Sequence, residues 1–224
     1  MEQEFRFDIH IHTAYSCDGT LSPGHLVNLA RRAGLGAIAI TDHNTLEGAQ
    51  RAQQQCSGHV PIIIPGEEIS TEYGDIIGIF LAEEIRSRVF AEVIDEIRDQ
   101  GGLSILPHPF RRKKFPPSDQ IERINFIESM NSRTSREKND AAFRLAAELK
   151  RPVIAGSDSH FSWEIGNAWN AADIPAGPGP DDVRSLLLAG AFEVHGLPVR
   201  PLVRKSNLML SYLVKNLRRT CSRR

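Results

Sequence analysis

The chain is short of cysteine, of long apolar runs and of net charge, and each shortage excludes a class of protein. Its three cysteines, Cys17, Cys56 and Cys221, are an odd number and far apart, which excludes a disulfide framework and indicates a reducing compartment. No apolar run reaches the ~18 residues that a membrane-spanning helix needs. The acidic start Met1-Glu2-Gln3-Glu4 passes at once into a strand-like segment, so the expected location is cytoplasmic. A formal net charge of −1 leaves the whole molecule without an electrostatic commitment to nucleic acid or membrane. Acidic residues are also missing after Glu193, a stretch that carries Arg200, Arg204, Lys205, Lys215, Arg218, Arg219, Arg223 and Arg224.

What is present is an alternation of short apolar runs with helical patterns, the signature of repeated βα units around a parallel sheet. The 224 residues suffice for one α/β domain with a sizeable core. Ser22 is placed to cap a first helix, with Pro23 at its first position, Leu26, Leu29, Ala30 and Ala33 on one face and Gly34 at its end. Further helices are predicted from Thr45 to about Gln55, Arg86 to Gln100, Ser135 to Leu149 and Pro180 to Leu188, with an additional strand over Asp75 to Leu81. The expected architecture is a distorted TIM-like barrel of about seven strands over residues 1–200, followed by a basic tail over 201–224. Within that tail, Leu210, Leu213, Val214 and Leu217 form an apolar stripe on a predicted helix from Ser206 to Arg219. Such a stripe either docks on the barrel wall or, with its basic surroundings, attaches to an anionic surface or phosphate-rich partner.

Acidic and histidine residues fall just past the apolar runs. They are Asp8-Ile9-His10-Ile11-His12, Thr41-Asp42-His43, Gly66-Glu67-Glu68, Pro107-His108-Pro109, Glu128, and Gly156-Ser157-Asp158-Ser159-His160. In parallel α/β proteins chemistry collects at the carboxyl ends of strands, so six such ends in succession suggest a metal site rather than core packing. His10 and His12, at i and i+2, point to one side of a strand end and can grip one ion. Nitrogen and carboxylate donors without thiolates favour zinc, manganese or ferrous iron. A carboxylate such as Glu68 can bridge neighbouring ions at the ~3.5–4 Å separation suited to phosphoryl displacement by a metal-activated hydroxide.

The run Asp-Ile-His-Ile-His-Thr, with Tyr-Ser-Cys-Asp-Gly, Ile-Thr-Asp-His-Asn-Thr, Pro-Gly-Glu-Glu-Ile-Ser, Pro-His-Pro-Phe, Ile-Glu-Ser-Met-Asn and Gly-Ser-Asp-Ser-His in order, resembles the polymerase and histidinol phosphatase (PHP) family. The resemblance spans about Phe5 to His160 and implies a distorted (β/α)7 barrel with a trinuclear metal centre that hydrolyses phosphoesters. It implies His10, His12, Glu68 and Asp158 around a first ion, Glu68, His108 and Glu128 around a second, and Asp18, His43 and His160 around a third. It thereby implies two or three divalent ions, Mn, Zn or Fe. The substrate expected is a small phosphorylated metabolite, a nucleotide or an oligonucleotide end. Histidinol phosphate, phosphotyrosine, or no turnover in a metal-stabilised binding module are the alternatives.

Other groups receive lesser roles. The family spacing selects Glu68 over its neighbour Glu67, and Cys17 beside Asp18 is a bystander. Asp8 and Asp42 are expected to orient imidazoles. His25, His59 and His195 are read as surface or satisfied core groups. The basic run Arg111-Arg112-Lys113-Lys114 follows a candidate ligand, and Arg111 and Arg133 are the candidate phosphate-binding residues, since a planar guanidinium holds two phosphate oxygens.

Overall fold

Apolar residues at alternate positions, rich in isoleucine, build the sheet, and amphipathic segments cover it. The computed structural model describes residues 3–55, 60–111, 114–174 and 178–221. Cys56, His59, Arg112, Lys113, Arg223 and Arg224 lie outside them, as do the side chains of Arg219 and Cys221. The strands are β1 (Gln3–Ile11), β2 (Leu35–His43), β3 (Ile62–Thr71), β4 (Gly74–Ile79), β5 (Leu103–Leu106), β6 (Phe126–Asn131), β7 (Val153–Gly156), β8 (Ala168–Ile174) and β9 (Glu193–Gly196). The helices are α1 (Pro23–Arg32), α2 (Glu47–Gln55), α3 (Phe90–Asp99), α4 (Ser118–Ile121), α5 (Arg136–Glu148), α6 (Pro180–Ala189) and α7 (Pro201–Cys221). No helix of the described residues is long and apolar enough to cross a membrane.

All nine strands belong to one sheet in the order β7-β6-β5-β4-β3-β2-β1-β8-β9. The sheet curls into a nearly closed barrel, because β7 returns to β1 at its carboxyl end. There the His12 N–H donates to the Ser159 carbonyl at 2.8 Å, and the Asp158 N–H donates to that of His10 at 2.8 Å. The α/β barrel expected from the sequence is therefore present, and its distortion has two sources. Strand β4 is the return arm of a hairpin, antiparallel to both β3 and β5. Strand β8, also antiparallel, takes the edge of β1 that a regular barrel gives to its last strand. Asn170 of β8 fills the resulting seam. Its Oδ1 accepts the Ala155 N–H at 2.9 Å, and its Nδ2 donates to the carbonyls of Ala155 at 2.9 Å and Phe7 at 3.3 Å.

Alternation along the strands separates two cores. Ala37, Ala39, Ile62, Ile64, Ile77, Ile79, Leu103, Ile105, Phe126 and Ile154 fill the barrel, with Val183 and Leu187 of α6 packed among them. Ile38, Ile40 and Ile63 face outward onto Leu26, Val27 and Ala30 of α1 and Ala49 and Ala52 of α2. Strand β1 breaks the alternation. Phe7 and Ile9 belong to the inner core and Ile11 to the outer one, across a register shift against β2 between Asp8 and Ile11. A bulge of this kind re-aims the residues beyond it. It turns His10 and His12 inward above a core that Phe7 and Ile9 already fill.

Several expected boundaries move. The strands run through the ligand motifs, so His10, His43, Glu68 and Glu128 lie within strands rather than after them. Ser22 occupies the N-cap of α1 without a side-chain hydrogen bond, and Gly34 follows that helix at a φ of 75°. Helix α3 begins at Phe90 instead of Arg86, because the Glu96 carboxylate accepts the N–H groups of Arg86 and Ser87 outside the helix. Strands β8 and β9 and the short α4 have no counterpart in the sequence reading.

Helix α7 forms over a longer span than predicted and docks by a neighbouring face, which keeps Val214 of the predicted stripe half-buried. Asn207 and Ser211 are buried, whereas Leu210, Leu213 and Leu217 of the supposed docking stripe are 37%, 45% and 67% exposed. The surface that receives the helix is polar, so hydrogen bonds rather than apolar burial fix its rotation.

The seam supplies the first prediction. Asn170→Ala strands three buried backbone groups, each costing ~1–3 kcal/mol when left unpaired, so stability should fall by about 3 kcal/mol or more. Urea denaturation measures it; a loss below about 1 kcal/mol, the net worth of one ordinary hydrogen bond, would show that the amide does not hold the seam.

Candidate active site

At the carboxyl end of the barrel the inward positions of consecutive strands become polar. Glu68 follows Ile62 and Ile64 on the inner face of β3, while Glu67 points outward, with the Ile85 N–H on its Oε2 at 2.9 Å and no hydrogen bond on Oε1. Four imidazoles surround Glu68. Its Oε2 lies 3.4 Å from His10 Nε2, 3.2 Å from His12 Nε2 and 3.2 Å from His43 Nδ1, and its Oε1 lies 3.0 Å from His108 Nε2. Asp158 Oδ1 is 3.6 Å from His10 Nε2 and 3.5 Å from both His12 Nε2 and His160 Nδ1. Asp18 completes the group, 3.3 Å from His160 and 3.7 Å from His43.

Three sets of donor atoms lie within 4.8 Å of one another: His10, Glu68 and His108; His10, His12 and Asp158; His12, His43 and His160. Hydrogen bonds behind the rings aim them. Glu128 Oε1 lies 2.9 Å from His10 Nδ1, Ser16 Oγ 2.9 Å from His12 Nδ1, and the Asp158 carbonyl 2.8 Å from His160 Nδ1. A carbonyl can only accept, so His160 carries its proton on Nδ1 and leaves Nε2 bare toward Asp18; the carboxylate behind His10 acts likewise. With His10 and His12 Nε2 only 3.1 Å apart, two imidazole nitrogens converge as they do on a shared cation. The donors fit divalent metal ions.

Electrostatics agree. Burial alone would raise Glu68 and Asp158, yet His43 and His10 around the first, and Arg111 and His10 around the second, hold both carboxyls well below their usual range. His43 is raised to about 10 against its burial by Glu68 and Asp18, whereas burial, His12 and Arg133 lower His160 to about 3. The backbone is strained where it presents ligands, with φ of 29° at His108 and 57° at Asp158. Gly156 lies so close beneath His10 and Glu128 that a Cβ there would collide with both.

Asp8 and Asp42 do not touch imidazoles, which corrects their expected role. Asp8 Oδ1 accepts the N–H groups of His10 and Ser157, while Asp42 accepts those of Thr13 and Ser16 and the Thr13 hydroxyl. Both fix the backbone that carries the histidines. Arg111 and Arg133 do reach the site. Arg111 Nη2 donates to Asp158 at 2.7 Å, Asn131 at 3.0 Å and Thr134 at 3.0 Å. Arg133 is buried, 3.3 Å from Glu164 and 2.9 Å from Ser211 Oγ. Cys17 lines the cavity outside the three donor sets. His25 is exposed and His195 stacks on Trp169, both away from it. Ser16, Asn131 and Glu164 had no signal in the sequence, since each acts by holding another group.

Above the donors lies a cavity of about 480 Å³, lined by Asp18, His43, Glu68, Asp158 and His160 and, across from them, by α7. Residues 8–114 match the PHP domain and residues 136–192 the PHP-associated region. An uncharacterised protein of Methanocaldococcus jannaschii is 35% identical over 175 residues, 73% of this chain and 69% of the relative. The chain belongs to the PHP domain family. A two-domain protein from Bacteroides vulgatus, described as containing a predicted PHP-like metal-dependent phosphoesterase, shares the fold at a TM-score of 0.73 and 19% identity, over 88% of this PHP chain and 66% of that one. The 5′-3′ exoribonuclease Rnm of Escherichia coli is 33% identical over 119 residues, 43% of this chain and 40% of the enzyme. As a PHP protein it is a metal-dependent hydrolase of phosphoester bonds.

The two adjacent glutamates give opposite expectations. Glu68→Gln should lose bound metal and activity, and Glu67→Gln should keep both. Burial raises the Glu67 carboxyl to about 7 from 4.5, so the folded state holds its proton longer than the unfolded chain. Its ionisation then subtracts from stability as pH rises from about 4.5 to 7, fully above that range. Glu67→Gln should therefore raise Tm at pH 8 and leave it nearly unchanged near pH 4.5. Thermal melts and elemental analysis decide; full metal content in Glu68→Gln would reverse the assignment.

Proposed function

We propose that this PHP protein hydrolyses a phosphate ester at the end of a nucleotide or oligonucleotide, using a trinuclear metal centre. His10, His12, Glu68 and Asp158 hold the first ion, Glu68 and His108 the second, and Asp18, His43 and His160 the third, while Glu128, expected on the second ion, has its oxygens on His10 Nδ1 and the His108 N–H and stands behind the donors instead. The observation that carries the reading is the convergence of four imidazoles, three of them buried, on Glu68 in a cavity that Arg111, Arg133 and Lys215 also line. Bound there, manganese, zinc or iron supplies Lewis acidity, lowering the pKa of a water and offsetting charge on the phosphate oxygens.

The chain's own groups do the positioning. Glu128, Ser16 and the Asp158 carbonyl keep three rings turned toward the cavity. Arg111, part-exposed at the mouth, supplies positive charge to a phosphate lying over Asp158. Arg133 is tied to Glu164 and Ser211 and serves to position rather than to clamp. The relatives' names support nucleic-acid chemistry, 5′-3′ exoribonuclease for the Escherichia coli protein and lesion-specific endonuclease for one of similar fold from Pyrococcus furiosus.

Manganese-loaded protein should cleave phosphate from a 5′-phosphorylated oligonucleotide or a nucleoside bisphosphate faster than from histidinol phosphate or a phosphotyrosine peptide. His10→Ala with His12→Ala should strip metal and lower turnover by more than about 100-fold, the loss that even outer partners of a metal can produce. Full metal occupancy in the double variant would overturn the ligand set. Faster cleavage of either competing substrate would overturn the substrate class, and no turnover of any would return the domain to a metal-stabilised binding module.

A further inference from the structure

Helix α7 lies beyond both matched segments, the later of which ends at residue 192. Its seat is nonetheless fixed at the mouth of the cavity. Arg218 donates to the Ala14 carbonyl at 2.8 Å and to that of Ser16, on the loop that leads to Asp18. Asn207 Nδ2 donates to Glu164 Oε1 at 2.6 Å, and Glu164 Oε2 in turn accepts the His160 N–H at 2.8 Å. These contacts set which face of the helix meets the barrel. They turn Leu208, Ser211, Tyr212 and Lys215, at i, i+3, i+4 and i+7, into the cavity wall that faces Glu68 and Asp158.

Among the described residues two arginines and one lysine line that cavity, and both arginines are occupied by the protein itself. Arg111 is held by Asp158, Asn131 and Thr134, and Arg133 by Glu164 and Ser211. Lys215 has no hydrogen-bond or ion-pair partner among the described residues. A point charge on a flexible stem suits an anion whose place is not set by the metals. Beside it, one helical step away, the Tyr212 ring is 65% exposed at the cavity edge, an arrangement that offers a face for a planar group.

We propose that α7 is the specificity element of this enzyme: Lys215 binds a phosphate of the substrate other than the one being cleaved, and Tyr212 stacks on the base between them. The ligand is a nucleotide unit carrying a second phosphate, whether a nucleoside bisphosphate or the first residue of an oligonucleotide. The proposal rests on the phosphoesterase reading above and adds the groups that select its substrate. It accounts for a polar helix face turned inward, since a recognition wall must keep its bearing while its cation stays unpaired.

The test compares full-length, manganese-loaded wild type with Lys215→Gln, Lys215→Arg, Tyr212→Ala and Tyr212→Phe. Substrates are a nucleoside 5′-monophosphate, a nucleoside 3′,5′-bisphosphate and a 5′-phosphorylated trinucleotide. Wild type should favour the two substrates with a second phosphate, and Lys215→Gln should collapse that preference by about tenfold, chiefly through KM, while Lys215→Arg restores most of it. Tyr212→Ala should raise KM by about tenfold where Tyr212→Phe does not, because stacking needs the ring and not the hydroxyl. Whichever second-phosphate substrate loses more kcat/KM across these variants is the native class. An unchanged preference ratio in Lys215→Gln overturns the proposal. Should wild type cleave none of the substrates, the phosphoesterase reading falls. The helix is then decided by fluorescence anisotropy with a phosphorothioate-ended oligonucleotide, where equal Kd for wild type and Lys215→Gln overturns its role.

Discussion

A carboxylate enclosed by four imidazoles is the constraint around which this molecule is arranged. Glu68 is withdrawn from water, and an ionised group so placed is tolerated only with close compensation. His10, His12, His43 and His108 supply it, and each comes from a different strand end or from a different position on β1. Two of those rings, and that of His160 beside them, are held in turn. A buried glutamate stands behind His10, a serine hydroxyl behind His12 and a backbone carbonyl behind His160. Beneath them Asp8 and Asp42 tie down the backbone itself. Rigidity of this kind is what positions reacting groups to fractions of an ångström.

The same dependence extends outward to the wall of the cavity. Glu164 bonds the loop that carries His160 and also receives Asn207 of α7, so the ligand loop and the helix share one carboxylate. Arg133 lies between Glu164 and Ser211 and couples the end of β6 to the same junction. A helix seated on so polar a surface has to dock by polar side chains. Its leucines are consequently left toward solvent, the reverse of what amphipathic patterning alone suggests.

Much of this was legible in the chain because histidines and acids at strand ends are rare for any reason but chemistry. The ring of His10, His12, His43, Glu68, His108, Asp158 and His160 converges as their order implied. The family spacing pointed to Glu68 rather than Glu67, and Glu68 is the one of the two that meets the imidazoles, because successive residues of β3 face opposite ways. What stayed hidden were features that depend on distant partners. The bulge in β1 leaves no mark on the sequence, because Phe-Asp-Ile-His-Ile-His reads equally well as unbroken alternation. Strands β8 and β9 were invisible for want of long apolar runs, and Asn170 acts only across a seam that the sequence does not reveal. The docking face of α7 was misread because the stripe rule assumes an apolar receiver.

The seam also sets an order of events at the ribosome. One edge of β1 is covered as soon as β2 is made, but its other edge pairs with β8, and its ligand end with the residues after β7. The strand that bears His10 and His12 thus waits with an open edge until Ile174 has emerged, exposing unpaired backbone to other nascent chains meanwhile. Closure of the barrel, and with it assembly of the donor cluster, waits for the residues after β7 and for β8. A centre built this way can gather only after His160, the last of its donors in the chain, has been made.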